Sequence, residues 1–283
     1  MHFHFPFTPV QILWTLTLAA HLVLLVVLLG RDRTRRFFWF TSSIALVTLR
    51  LIASRLLYGR LPQITLGGIF VILADLSAIV SFLVLVEIAR RVFRRAGRTA
   101  RLIWILILFA IGVVVVATWG HWPAWKTIAP HTLLAWLSLL QLFAQKSSLL
   151  VDVLTVLLGV LVVAFGRRYG AGWRTHAQRI MIGLSTASLA QILVQVIWQL
   201  IALSAKPHSR QEYDRILGIR ENLFNANSVV YFLVAIWWIA CLWIDEPGTG
   251  AELAEVGVPV NSGKPDRKAS AKAEPPKPDE ERD

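Results

Sequence analysis

Residues 37–89 read FFWFTSSIALVTLRLIASRLLYGRLPQITLGGIFVILADLSAIVSFLVLVEIA, and this stretch decides the fold class. It contains two apolar runs, which are separated by a short turn around residues 58–63. Each run approaches or exceeds the ~20 residues that an α-helix needs to cross a bilayer. The first run contains Arg50 and the second contains Asp75. We therefore predict two membrane-spanning helices, each with one charged residue inside the hydrocarbon.

These two charges need a physical account. An ionised side chain at the bilayer centre costs about 2.5–3.5 kcal/mol on insertion scales, so it usually has a partner or faces a water-filled cavity. Arg50 and Asp75 have opposite signs and lie at similar predicted depths. We predict that they form an ion pair.

The composition of the whole chain agrees with a membrane protein. Of its 283 residues, 56% are hydrophobic, against roughly 45–50% in soluble domains. Apolar runs outside residues 37–89 predict five further spans. The fold class is therefore an all-α integral membrane protein with a bundle of seven transmembrane helices. The predicted spans cover residues 10–29, 37–57, 66–89, 102–118, 147–166, 180–203 and 222–244.

One region leaves the number of spans open. Residues 130–145 are apolar but number only about sixteen, so they form either an eighth span or a protruding extension of the fifth. Four arginines that follow the fifth span decide between these alternatives: Arg167, Arg168, Arg174 and Arg179. With seven spans they lie on the same side as the other arginine clusters, and with eight they lie opposite. We take seven.

Arginine placement also predicts the orientation, because cytoplasmic loops are enriched in Lys and Arg. The predicted inside loops hold fourteen arginines, whereas basic residues in the outside loop at 204–221 are offset by acids. We predict an outside N-terminus and a cytoplasmic C-terminus in the cell (inner or plasma) membrane. Anionic lipid headgroups are the expected partners of the largest cluster, which comprises Arg90, Arg91, Arg94, Arg95, Arg98 and Arg101. This topology accounts for the net charge of +12, and we expect no nucleic-acid partner.

The segment after the last span has a different composition. Residues 245–283 are rich in Pro, Ala, Glu and Lys and contain almost no large apolar side chains. Such a segment cannot bury a core. We predict a seven-helix domain over residues 1–244 and a disordered cytoplasmic tail over residues 245–283.

Polar residues inside the predicted spans gather toward the outer ends. Ser188, Gln191, Gln195 and Gln199 follow one another at intervals of three and four, which places them on one helix face. Asn227 and Tyr231 are four residues apart on the last span. The candidate site consists of Arg50, Asp75, Asp152, Gln195, Gln199, Asn227 and Tyr231.

Two interpretations of this site remain open from the sequence. In the first, the residues line a polar cavity that opens outward, with Arg50 and Asp75 at its base. In the second, they are interhelical contacts, since side-chain hydrogen bonds commonly hold transmembrane helices together. His21, in the middle of the first span, has the same two interpretations: a hydrogen-bonded packing residue, or a ligand or proton relay.

The sequence contains few patterns that indicate catalysis. It contains no GxSxG, HExxH, CxxC or P-loop pattern, and we expect no catalytic residues, no metal site and no cofactor. The first hypothesis is a non-enzymatic sensory or ligand-binding module that signals to a separate partner at its cytoplasmic face. The alternatives are a transporter or channel component and, less favoured, a membrane-embedded enzyme.

Overall fold

A computed structural model describes residues 8–92, 98–120, 122, 133–165, 175–205 and 209–244. Within these ranges all regular secondary structure is α-helical. The chain divides into two units, Met1–Glu246 and Pro247–Asp283, and all described residues belong to the first. The predicted disordered tail therefore lies outside the described residues. The helices are α1 (Pro9–Gly30), α2 (Phe38–Leu57), α3 (Gln63–Val92), α4 (Arg98–Thr118), α5 (Leu133–Phe165), α6 (His176–Ser204) and α7 (Arg210–Trp243).

Six of these seven helices are long and apolar enough to cross a membrane. The exception is α4, whose described apolar part, Ile105–Thr118, is shorter than the others. The helix pattern is therefore that of a multi-pass membrane protein, as the composition predicts. The described residues thus contain six of the seven predicted spans, and the span at residues 102–118 stays a prediction.

Residues 133–165 form one helix, so the ambiguous stretch before residue 147 is an extension of α5 and not a separate helix. At ~1.5 Å per residue this helix is about 50 Å long, well beyond the ~30 Å hydrocarbon thickness. The chain contains no Pro or Gly between residues 131 and 158. The helix also continues through the polar residues 146–148. The Ser147 hydroxyl donates to the Ala144 carbonyl of the preceding turn at 3.2 Å, so this polar group has a partner within the helix.

The prediction of a loop at residues 204–221 is wrong for residues 210–221, which are helical. Helix α7 begins at Arg210 and continues for 34 residues, about twelve residues earlier than the predicted span. Ser209 starts this helix, because its side chain accepts a hydrogen bond from the Glu212 backbone N–H at 3.2 Å. A Ser followed three residues later by Glu is a known helix-start signature, so the sequence did carry this signal.

Six helices pack in a closed ring in the order α1, α2, α3, α5, α6, α7, with α7 returning to α1. Helix α3 also contacts α6 across the ring, and α4 packs against α5. The close approach of α6 and α7 depends on Gly183, because a Cβ atom there would collide with the Trp238 indole.

The apolar core lies at one end of this ring. It joins late residues of α1, α3, α5 and α7 to early residues of α2 and α6, so α1, α3, α5 and α7 run in one direction and α2 and α6 run in the other. We call this region the apolar end. Its fully or almost fully buried members include Leu28, Phe40, Ile88, Val162, Ile180, Trp238 and Leu242.

A carboxylate from α3 caps the start of α2 at the apolar end. The two Glu87 oxygens accept from the backbone N–H groups of Phe38, Trp39 and Phe40 at 3.1–3.3 Å. The first N–H groups of a helix have no partner within it, and a negative charge there also favours the helix dipole. Glu87 thereby fixes α2 against α3, in addition to its ion pair with Arg91 at 3.4 Å.

Candidate functional site

The ring encloses a cavity of about 850 Å³ at the end opposite the apolar core. Its walls come from the last part of α2, the first parts of α3, α5 and α7, and the last part of α6. We call it the cavity. Its polar lining comprises Arg50, Ser77, Ser81, Gln141, Gln145, Lys146, Ser148, Asp152, Gln191, Gln195, Gln199 and Arg220. Gln141 and Gln145 are exposed, so the cavity reaches the surface of the bundle.

Four of the predicted site residues line this cavity: Arg50, Asp152, Gln195 and Gln199. They come from three helices, α2, α5 and α6. The sequence pattern placed these polar residues toward one end of the spans. The structure brings these four around a common space at that end.

The predicted ion pair between Arg50 and Asp75 is absent from the described part of the chain. Arg50 is exposed and lines the cavity, whereas Asp75 does not. The Oδ1 atom of Asp75 is buried and has no hydrogen-bond partner among the described residues. Asp75 lies only one residue beyond the lining residue Ala74, and one residue corresponds to about 100° around a helix. The two charges therefore have different surroundings.

Two polar contacts hold α6 to its neighbours beside the cavity. Ser188 donates to the Asp152 carboxylate on α5 at 2.9 Å. Asn227 on α7 donates through Nδ2 to Gln191 Oε1 at 2.5 Å. On the polar face of α6, Ser188 and Gln191 contact other helices, and Gln191, Gln195 and Gln199 line the cavity.

Tyr231 lies away from the cavity and contacts His21 on α1. His21 is completely buried and bonds the Thr17 carbonyl through Nδ1 at 2.7 Å. A carbonyl oxygen can only accept, so Nδ1 carries the proton and the other ring nitrogen accepts from the Tyr231 hydroxyl at 3.1 Å in the neutral ring. The two rings also stack, with centroids 5.4 Å apart. This geometry favours the packing role of His21.

Two cationic residues of the cavity lie outside the predicted site. Lys146 on α5 donates to the Trp119 carbonyl at 2.5 Å and lies 4.4 Å from the Trp122 ring centroid. Arg220 on α7 lies 5.3 Å from the Trp198 ring centroid. Both residues precede a predicted span by one or two positions, where a basic residue is ordinarily explained by the membrane interface. The extension of α5 and α7 beyond those spans puts them on the cavity wall.

The cavity carries an excess of positive charge. Three cationic side chains, Arg50, Lys146 and Arg220, line it together with one carboxyl group, that of Asp152. None of the three forms an ion pair with any residue that the structure describes. Within the same residues no group of three or more His, Cys, Asp or Glu could hold a metal ion.

The predicted lipid-binding arginines are described only in part. Arg91 pairs with Glu87, and its guanidinium lies 4.5 Å from the Phe37 ring centroid. Arg90 is exposed. Arg94 and Arg95, and the side chains of Arg98 and Arg101, lie outside the described residues. Lipid binding by this cluster stays a prediction.

No protein-family model, curated protein or solved structure matches this chain.

Proposed function

We propose that this protein is a non-enzymatic ligand-binding or sensory module of the cell membrane, with a polar cavity that faces outward. The single observation that carries the proposal is the cavity of about 850 Å³ with polar groups on α2, α3, α5, α6 and α7. Ligand sites of small molecules are concave, commonly about 300–1,000 Å³, and combine apolar walls with a few polar groups.

The apolar end supports a one-sided cavity. Large buried side chains, including Phe40, Ile88 and Trp238, fill the space between the helices there. A transport path requires polar or water-filled space through both ends of the bundle. The packing at the apolar end therefore favours a binding module over the alternative of a transporter or channel component.

The proposed orientation places the cavity outside and the apolar end at the cytoplasmic face. The arginines beside the apolar end support it through the positive-inside rule. Ligand binding at the cavity would change helix packing, and a separate cytoplasmic partner would read that change at the arginine loops or the tail.

Cysteine accessibility tests the cavity. Cys241 is the chain's one cysteine, so a Cys241→Ser background provides single reactive positions. We expect Gln195→Cys to react with hydroxyethyl methanethiosulfonate, a small neutral reagent, because a thiol in a water-filled cavity can ionise. Leu189→Cys on the same helix is the matched control, since Leu189 is exposed on the outside of the bundle, where lipid lies. Equal and negligible reactivity at both positions overturns the proposal and leaves the polar residues as interhelical contacts.

Orientation needs a second measurement on intact cells. We expect a membrane-impermeant maleimide to label Gln211→Cys, at the exposed start of α7, and to leave Arg35→Cys unlabelled until the cells are opened. The opposite labelling pattern overturns the outward orientation. Labelling of both positions in intact cells also contradicts it.

A further inference from the structure

We propose that the cavity binds an oxyanion, a phosphate or carboxylate group, that is attached to an apolar body. This inference rests on the proposed ligand-binding function and specifies the chemical class of the ligand. It is carried by the arrangement of cationic, amide and apolar side chains on the cavity walls.

The lining of the cavity carries a net positive charge. Arg50, Lys146 and Arg220 come from α2, α5 and α7, so cationic groups lie on three separate walls. The one lining carboxyl among the described residues, Asp152, already accepts a hydrogen bond from Ser188 through Oδ1. Arg50 lies inside a predicted span, where a charged side chain is costly without a counter-charge. An anionic ligand would supply that counter-charge.

Aromatic rings and a backbone carbonyl hold two of these cations in place. Lys146 is fixed by the Trp119 carbonyl and the Trp122 ring, and Arg220 by the Trp198 and Phe224 rings. Carbonyl and ring contacts orient a cation but leave its full positive charge in place. Two of the three cations are thereby pre-positioned, which lowers the conformational entropy that a ligand would have to remove.

Arg50 is the third cation of the cavity. It lies on α2 seven residues before the end of the helix and is exposed to the cavity. It has no ion pair among the residues that the structure describes. A guanidinium presents five N–H donors in a planar fork that matches carboxylate and phosphate oxygens. Arg50 is therefore the group best suited to bind the oxyanion directly.

The remaining lining fits the rest of such a ligand. Five glutamine amides offer N–H donors around the cationic groups. They are Gln141, Gln145, Gln191, Gln195 and Gln199. Apolar side chains provide contact area for an apolar body. They include Phe70, Val71, Leu142, Leu149 and Phe224.

Selectivity for charge tests the inference directly. In the Gln195→Cys variant we compare anionic sulfonatoethyl and cationic trimethylammonioethyl methanethiosulfonate, each normalised to its rate with free 2-mercaptoethanol. Clefts lined by one sign of charge raise the local concentration of counter-ions by about 10–10³-fold. We expect at least about a tenfold preference for the anionic reagent.

Matched variants assign that preference to the three cations. The triple variant Arg50→Gln, Lys146→Gln, Arg220→Gln should abolish it. The charge-conserving Lys146→Arg and Arg220→Lys variants, which keep the net charge, should retain it. Arg55→Gln is a further control, since Arg55 lies on α2 over the Trp14 ring and does not line the cavity. A preference that survives in the triple variant overturns the inference.

Protection experiments distinguish two sources of the oxyanion. We measure sulfonatoethyl labelling of Gln195→Cys with added inorganic phosphate in phosphatidylcholine vesicles, and without phosphate in phosphatidylglycerol vesicles. Protection by phosphate supports a soluble ligand, and protection in phosphatidylglycerol supports a lipid headgroup. Protection that persists equally in the triple variant overturns the inference, as does its absence in both arms.

The neutral reagent separates this inference from the proposed function. If hydroxyethyl methanethiosulfonate labels Gln195→Cys but the charged reagents show no preference, the cavity stands and its anionic ligand class is wrong. If the neutral reagent also fails, the proposed function itself is wrong.

Discussion

The two ends of the helix ring hold their charged groups differently. At the apolar end Arg33 is only 6% exposed, bonds the His176 ring nitrogen and donates to the Ile244 carbonyl at 3.2 Å. Glu87 at the same end accepts from three backbone N–H groups. At the cavity end Arg50, Lys146 and Arg220 line the cavity and form no ion pair with described residues. Arg33 and Glu87 join helices, whereas the three cations of the cavity have no counter-charge among the described residues.

This contrast predicts where substitutions destabilise the protein. Packed groups lose their partners when they are truncated, so their effect on stability is large. Groups that line open space lose few contacts, so their effect on stability is small and their effect on binding is large.

The largest effect should come from Trp238→Ala. Trp238 is 1% exposed, packs edge-to-face on Phe40 at 5.2 Å and donates to the Ile180 carbonyl at 3.3 Å. Truncation of a buried Trp costs about 3–5 kcal/mol. We expect that loss of unfolding free energy in detergent, measured by thermal unfolding. The neighbouring Trp237→Ala is the control, because Trp237 is 46% exposed, and equal losses would contradict the proposed core.

Two glycine substitutions should change the free energy of unfolding in opposite directions. A Cβ at Gly183 would collide with the Trp238 indole, whereas a Cβ at Gly218 would meet nothing within 4 Å. We expect Gly183→Ala to cost about 1–3 kcal/mol, as overpacking does. Gly218→Ala should stabilise α7 by up to about 1 kcal/mol through helix propensity. Thermal unfolding of both variants checks the difference, and a stabilised Gly183→Ala variant would show that α6 and α7 are not in close contact there.

The smallest effect should be the coupling between Arg50 and Asp75. The two residues form no ion pair in the described structure, so the double variant Arg50→Ala, Asp75→Ala should show the sum of the single effects within about 0.5 kcal/mol. Thermal unfolding of the two single variants and the double variant gives this coupling. Recovery of stability in the double variant would restore the predicted pair, because a lone buried charge is worse than none.

Four residues of the cavity could be predicted from the sequence because they are polar residues within apolar runs. Arg50, Asp152, Gln195 and Gln199 stand inside stretches that are long enough to cross a bilayer, so their cost alone singles them out. Lys146 and Arg220 stand at the borders of such stretches, where basic residues are common. Only the continuation of α5 and α7 past those borders brings them to the cavity.

The sequence by itself determined the helical membrane class, because apolar run length reflects bilayer thickness and does not depend on how the helices pack. It also determined that the polar residues gather toward one end of the spans. Tertiary structure alone decided which of them share a space. Arg50 and Asp75, which the sequence analysis predicted to form an ion pair, lie in different surroundings. The reason is that successive residues of a helix are about 100° apart around its axis. Which side chains meet therefore depends on how each helix is rotated and on which helices it packs against. Contacts between helices, such as that of Gly183 with Trp238, set both.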